Sequence, residues 1–369
     1  MSPMRLPGQG MPRYRPRSTK LHDKTRKMQP APSLKAFRAM AEQLARVHRA
    51  CRSAGSIRLL LKLCPLLLLL SSKAFAAECI VPSKPGGGFD QTCKLARKAL
   101  EGQAALRLSY MPGGIGAVAW SAIVSQRRAE PDTLVAFSGG SLLNLALGKL
   151  GRSSVSDVRW VAGLGMDYGM VAVRADSPYK TLRELMTAMR RDPGAVTIGT
   201  GGTIGSQDWI KIALLAKQAS IDPRKIRFVA FEGGGESITA LLAGHVEAVS
   251  GDVAEASLHA VSDHIRVLAV LSDTRLPGPL AQVPTAREQG FDLTWPIIRG
   301  LYMGKQVPDA DYRRWVTVFD RVMADKSFDQ LRADHGFYPF ALTGVRLTDY
   351  VTQTEAHYRQ KAAELGLVR

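Results

Sequence analysis

Five times between residues 78 and 252 a short apolar run gives way to a loop of glycines and hydroxyl residues, and each loop leads straight into a helical pattern. The runs are 78–82, 133–137, 196–199, 226–231 and 246–250, and the loops centre on Pro85, Ser138, Thr200, Gly233 and Ser250. Runs this short, bounded by glycine, suit strands buried on both faces better than helices. Strand–loop–helix units in series predict an α/β fold: a mostly parallel sheet with helices on both faces. In such sheets a ligand is met beyond the carboxyl ends of the strands, where loops and helix N-termini lie. Further strands are expected at 106–110, 159–164, 170–174, 265–271 and 300–303, and helices at 90–100, 117–126, 309–323 and 347–365.

The net charge of +18 points towards nucleic acid until its distribution is read. Residues 1–77 hold 16 Lys/Arg against 2 Asp/Glu; the remainder holds 34 against 30. The folded part therefore lacks the basic excess that a phosphate backbone selects. The basic segment ends in a secretory pattern: Arg58 and Lys62, an apolar stretch over 63–70, then Ala74-Phe75-Ala76, placing cleavage after Ala76 or Ala77. That stretch is shorter than the ~20 residues that span a bilayer, although an uncleaved anchor is the alternative. Leu63 and Glu78 precede the cysteines where a lipid-attachment site needs a small residue, and no arginine pair precedes the apolar stretch. Export by the general secretory route to the periplasm is expected. Residues 1–50 read either as a disordered extension or, the favoured reading, as sequence ahead of the true start, with Met28 or Met40 as the candidate starts.

Cys51 and Cys64 fall in the leader, leaving Cys79 and Cys93 in the mature chain. An even number in an oxidising space predicts a disulfide, worth about 3 kcal/mol for a loop of ~15 residues; two reduced buried thiols are the alternative. The bracketed loop, Lys84-Pro85-Gly86-Gly87-Gly88-Phe89-Asp90, lacks the spacing of a dinucleotide or phosphate loop. It reads as an anion cradle of backbone N–H groups, or as a plain turn. Asp90 is placed either as a helix cap or as an acceptor from a ligand hydroxyl. Thr200, Thr203, Ser206 and Gln207 supply neutral donors at a second helix start, as Ser138, Gly139, Gly140 and Ser141 do at a third. Gly234 lies in a second triple-glycine loop; Ser250 and Asp252 form a hydroxyl site or a turn; Arg299 is the candidate cation for a third carboxylate. No hydrolytic motif, metal-ligand spacing or nucleophile–base set occurs, so binding without turnover is expected, with no enzyme activity, cofactor or metal.

These residues resemble the substrate-binding proteins of tripartite tricarboxylate transporters, in particular the citrate-binding type, over about 78–369. The resemblance is carried by Lys84-Pro85-Gly86-Gly87-Gly88-Phe89-Asp90, Tyr110-Met111-Pro112-Gly113-Gly114, Phe137-Ser138-Gly139-Gly140-Ser141, Asp167-Tyr168-Gly169-Met170, Ile204-Gly205-Ser206-Gln207-Asp208-Trp209, Phe231-Glu232-Gly233-Gly234-Gly235-Glu236 and Trp295-Pro296-Ile297-Ile298-Arg299-Gly300. It implies a type II periplasmic binding protein fold, with two α/β lobes joined by two crossovers: residues 78–177 and 300–369 in one, 178–299 in the other. It also implies a carboxylate gripped between the 84–90 and 200–207 loops, with Tyr168 joining the site by the same likeness. Its expected ligand is citrate or a related tricarboxylate, its partners one large and one small integral permease subunit, its state a monomer. A sensor of carboxylates for a membrane two-component kinase would need the same cleft.

Overall fold

The computed structural model describes residues 76–260, 264–364 and 366–368. The expected leader and its basic end lie outside them. Ten strands form one sheet: β1 (Ala76–Val81), β2 (Ala105–Tyr110), β3 (Thr133–Ser138), β4 (Val158–Arg174), β5 (Ile198–Gly201), β6 (Phe228–Phe231), β7 (Ala248–Asp252), β8 (Ile265–Leu271), β9 (Pro296–Gly304) and β10 (Leu342–Thr343). The order along it is β2-β1-β3-β9-β4-β7-β5-β6, with β8 and β10 also paired to β4. β1 is parallel to β2 and β3, and β5 is parallel to β6 and β7. All pairings of β4 and β9 are antiparallel. The sheet is therefore mixed: two parallel groups flank a pair of long antiparallel strands.

Alternation along the parallel strands explains their unbroken apolar character. Cys79 and Val81 of β1, with Leu134 and Ala136 of β3, enter one core, while Ile80, Val135 and Phe137 enter another on the opposite face. Side chains of successive strand residues point to opposite faces, so a strand covered on both needs apolar residues throughout. Phe137 and Trp160 pack edge to face in one of these cores, and Tyr302 lies tilted against both, with ring centroids 4.6–6.5 Å apart. Helices α1 (Gly88–Ala99), α2 (Ala117–Ser125), α3 (Gly139–Ala146), α4 (Leu182–Arg191), α5 (Gln207–Gln218), α6 (Gly234–Leu242), α7 (Val253–Ala260), α8 (Asp309–Ala324), α9 (Lys326–Asp334) and α10 (Gly344–Glu364) complete the fold.

Two expectations need correction. The strands expected at 159–164 and 170–174 are one 17-residue strand, β4. Gly165 and Gly169 read as breaks, but they are close approaches: a β-carbon would stand 2.8 Å from Phe337 Cβ at Gly165 and 2.5 Å from Lys211 Cδ at Gly169. The strand expected at 300–303 begins at Pro296, so β9 reaches back to include Arg299. Cys79 and Cys93 are disulfide-bonded, joining β1 to α1 with Cα atoms 5.8 Å apart. Among the described residues no helix is long and apolar enough to cross a membrane.

Candidate functional site

β1, β3, β5, β6 and β7 each end in a connection that opens a helix: α1, α3, α5, α6 and α7 respectively. All five connections line one inner cavity of about 40 Å³. Its walls are Gly87, Gly88 and Phe89; Ser138 and Gly140; Gln207 and Asp208; Gly233 and Gly234; Asp252 and Glu255; and Arg299 from β9. A wider chamber of about 510 Å³ shares Ile115 and Glu232 with it and is lined also by Asn144, Lys149, Thr203, Ser206 and Glu236. Helix N-termini carry partial positive charge and unpaired N–H groups, so five of them at one cavity favour a ligand with acceptor oxygens.

The two triple-glycine loops touch across this cleft. A β-carbon on Gly235 would stand 2.8 Å from the carbonyl carbon of Gly86 and 3.0 Å from Gly87 N, both backbone atoms that cannot rotate away. Gly88 is equally constrained, because a side chain there would collide with the Arg299 guanidinium. At the rim, Lys84 Nζ lies 2.5 Å from Glu236 Oε1, and Lys149 Nζ donates to the Ile204 carbonyl at 3.0 Å.

The floor of the cleft is a buried charge cluster. Arg299 donates through Nη2 to Asp167 and to Asp252, each at 2.6 Å, and through Nε to Asp167 at 3.2 Å. Lys211, fully buried, donates to Asp252 and to the Gly251 carbonyl at 2.6 Å, with Asp208 Oδ1 at 2.9 Å. Asp167 also accepts from Ala254 N, and Asp208 from Gly201 N. Glu255 Oε2 accepts from Asp252 N at 3.2 Å, and its Oε1 accepts from Gly88 N at 3.3 Å, across the cleft. With Glu232 and Glu236 at the rim, six carboxylates stand against four cations: Lys84, Lys149, Lys211 and Arg299.

Burial pushes the Asp167 and Asp208 carboxyls up to about 6, against the pull of Arg299 and Lys211 respectively. Burial acts the same way on Asp252, but Lys211 and Arg299 together outweigh it and hold that carboxyl below its ordinary range. Glu255 has no such cation in contact; burial, then repulsion from Asp252 and Asp208, raises it well above the usual carboxylate range. Among the described residues no group of three or more His, Cys, Asp or Glu is arranged to hold a metal ion. Asp167, Asp208 and Asp252 are paired with Arg299 and Lys211, and Glu255 is left over.

Of the residues expected at the site, Gly87, Gly88, Phe89, Ser138, Gly140, Gln207, Gly234, Asp252 and Arg299 line the inner cavity, and Ser206 lines the wider chamber. Several others are engaged elsewhere. Asp90 accepts from Gly86 N at 2.8 Å and from Tyr110 Oη at 2.9 Å and pairs with Lys94, so it ties the loop together and is turned from the cleft. Gly86 keeps that turn open with a φ of +97°, which favours glycine. Thr200 donates to the Gly202 carbonyl and Ser250 to the Asp208 carbonyl, both fully buried. Ser141 completes a capping box with Ser138. Gly139 backs onto Tyr358, and Tyr168 packs on Tyr338 away from both cavities. Lys84 and Pro85 stand exposed at the rim. Asp252 and Arg299 line the cavity as partners of one another, so the Arg299 charge expected to meet a third carboxylate is already balanced within the chain.

Sequence reading missed Glu255, Lys211 and Lys149. Lys211 had a signal: it interrupts the apolar run Trp209-Ile210-Lys211-Ile212-Ala213, a place where lysine is buried only with partners.

The model of the tripartite tricarboxylate transporter family receptor matches residues 114–367. The chain belongs to that family. Its members are solute-binding receptors of the periplasm and are not enzymes. A relative of this receptor is the UPF0065 protein in the gbd 5' region of Cupriavidus necator, 24% identical over 222 residues, or 60% of this chain and 66% of that protein. MatC of Rhodopseudomonas palustris, solved with bound malate, is 21% identical over 78% of this receptor and 98% of that chain, with a TM-score of 0.66. A second R. palustris protein, solved with adipate, is 18% identical over 79% of this receptor and 97% of that chain, with a TM-score of 0.71. These likenesses give the receptor the periplasmic binding protein fold of type II.

Proposed function

We propose that this receptor closes two lobes over a small carboxylate and delivers it to a membrane permease of one large and one small integral subunit. The carrying observation is the contact of the two glycine loops, Gly86–Gly87 against Gly235, above a cavity that all five strand ends line. In this reading β4 and β9 are the crossovers, residues 78–177 and 300–369 form one lobe, and 178–299 form the other. The ligand enters by the wider chamber, whose 510 Å³ is in the range of small-molecule sites, and the loops meet behind it.

Citrate or a related tricarboxylate is the finer expectation from the resemblance, with Arg299 as the candidate partner of its third carboxylate. With Arg299 held by Asp167 and Asp252, a trianion would enter a cleft that already has more acids than cations. A solute of lower net charge suits the site better; malate and adipate, bound by two proteins of this fold, are dicarboxylates. Calorimetry with malate, adipate, succinate, glutarate, aspartate, glutamate and citrate tests the reading. Saturable heat is expected from at least one of the six smaller acids. No heat from any acid, with the protein folded by circular dichroism, overturns the receptor proposal; citrate as the tightest ligand overturns the preference for lower charge.

A further inference from the structure

We infer that a second groove, remote from the cleft, binds a phosphate group. The groove has a volume of about 280 Å³ and is lined by Arg183, Thr187 and Arg190 of α4, by Gln218 at the end of α5, and by residues 289–291. It lies at the opposite end of α5 from Gln207, about 16 Å along the helix axis. Arg183 and Arg190 are seven residues apart on α4, so they share one face, two turns and about 10 Å apart. Arginine side chains span such a gap, and both guanidiniums can meet one oxyanion held between them. No Asp or Glu lines this groove, whereas Asp208, Glu232, Asp252 and Glu255 line the inner cavity of the cleft.

The acids nearby are engaged elsewhere. Glu184 accepts from the amides of Lys180 and Thr181, and Asp192 from that of Gly194. Asp292 pairs with Arg287, and Glu288 with Arg275. Arg183 donates once, to the Gln289 carbonyl at 2.7 Å, and among the described residues Arg190 has no ion-pair or hydrogen-bond partner. Two like charges in one acid-free groove repel, and an anion between them turns that repulsion into attraction. The carboxyl end of α5 opposes an anion with about half a negative charge, less than the two full positive charges facing it. Exposed Arg191 and Lys217, beside the lining residues, add to the same field. A carboxylate's two oxygens satisfy one arginine fork. A free phosphate has oxygens for both forks, and a volume of about 280 Å³, the share of about nine waters, holds it with its hydration. Free phosphate and the headgroups of a bilayer offer this same chemistry, and the test separates them.

In one arm the exported protein is titrated with inorganic phosphate at pH 7.5 in low salt, followed by calorimetry and by broadening of the phosphorus resonance. In the other it is sedimented with phosphatidylcholine vesicles, with and without phosphatidylglycerol. Saturable binding of inorganic phosphate is expected, at least tenfold weaker in Arg190→Gln and lost when Arg183→Gln is added. Both arginines are exposed and glutamine is a good helix former, so the variants are expected to fold, which circular dichroism checks. Sedimentation with phosphatidylglycerol vesicles and no binding of free phosphate, abolished by the same two changes, assigns the groove to a headgroup instead. Binding in neither arm, or binding unchanged in the double variant, overturns the inference; unchanged binding would place phosphate elsewhere, the cleft included. The carboxylate titrations above should be unaltered in Arg190→Gln, so the receptor reading stands or falls separately.

Discussion

Glu255 is buried at 5% exposure, touches no cation, and holds the Gly88 and Asp252 amides. Its raised carboxyl has a direct consequence for stability. A carboxyl whose pKa is higher folded than unfolded binds its proton more tightly in the folded state. The stability it contributes is complete below the ordinary carboxylate range and is lost as pH rises through the folded value. Asp167 and Asp208, at about 6, add to the same trend, while Asp252 opposes it. Glu255→Gln should therefore raise the melting temperature at pH 8 by a few degrees, at about 2–4 °C per kcal/mol, and change it little at pH 4.5. Thermal scans at the two pH values check this; an equal gain at both would remove the charge of Glu255 as its cause. Lys211→Met should act oppositely and cost about 3–5 kcal/mol, because it leaves Asp208 and Asp252 buried without their cation. Urea unfolding gives that number.

At the scale of elements, the glycine-led helices set how near the two loops come. Gly235 occupies the first turn of α6, where alanine is the better helix former by up to about 1 kcal/mol. In Gly235→Ala that gain is smaller than the cost of setting a methyl 2.8 Å from the Gly86 carbonyl carbon, so thermal stability should fall. The two loops must part to admit the methyl, and ligand affinity should fall at least tenfold; wild-type affinity in calorimetry would show that the loops do not need to touch. The same elements show what was legible in the sequence. The five strand-to-helix connections were, because an apolar run followed by glycine has few other meanings. The start of α6 inside the triple-glycine loop, at Gly234, was not: glycine reads as a helix breaker, and the close approach of Glu255 and Gly86 accounts for it. The single β4 was hidden for the same reason at Gly165 and Gly169. The charge cluster was invisible because its members come from β4, α5, β7, α7 and β9, brought together only by the sheet order.

For the whole molecule, the rim contacts are weak fasteners. Lys84 and Glu236 have side chains 53% and 32% exposed, and ion pairs of that kind contribute little and are screened by salt. The proposed closure must then depend on what lies between the proposed lobes. Lys84→Ala should change ligand affinity by less than about fivefold, and that difference should shrink between 50 and 500 mM salt. The radius of gyration in solution scattering should fall on adding saturating ligand, for the wild type and for Lys84→Ala alike. A ligand-free protein as small as the liganded one would show that closure precedes binding.

The pairing of Asp167 on β4 with Arg299 on β9 has a further consequence. These strands are the two covalent routes between the proposed lobes, and Arg299 also lines the inner cavity. A lineage of such receptors cannot retune its ligand at Arg299 without also altering how its crossing strands are clamped. Changes of diet should accordingly begin at residues such as Lys149, which donates to the Ile204 carbonyl and stands outside that clamp.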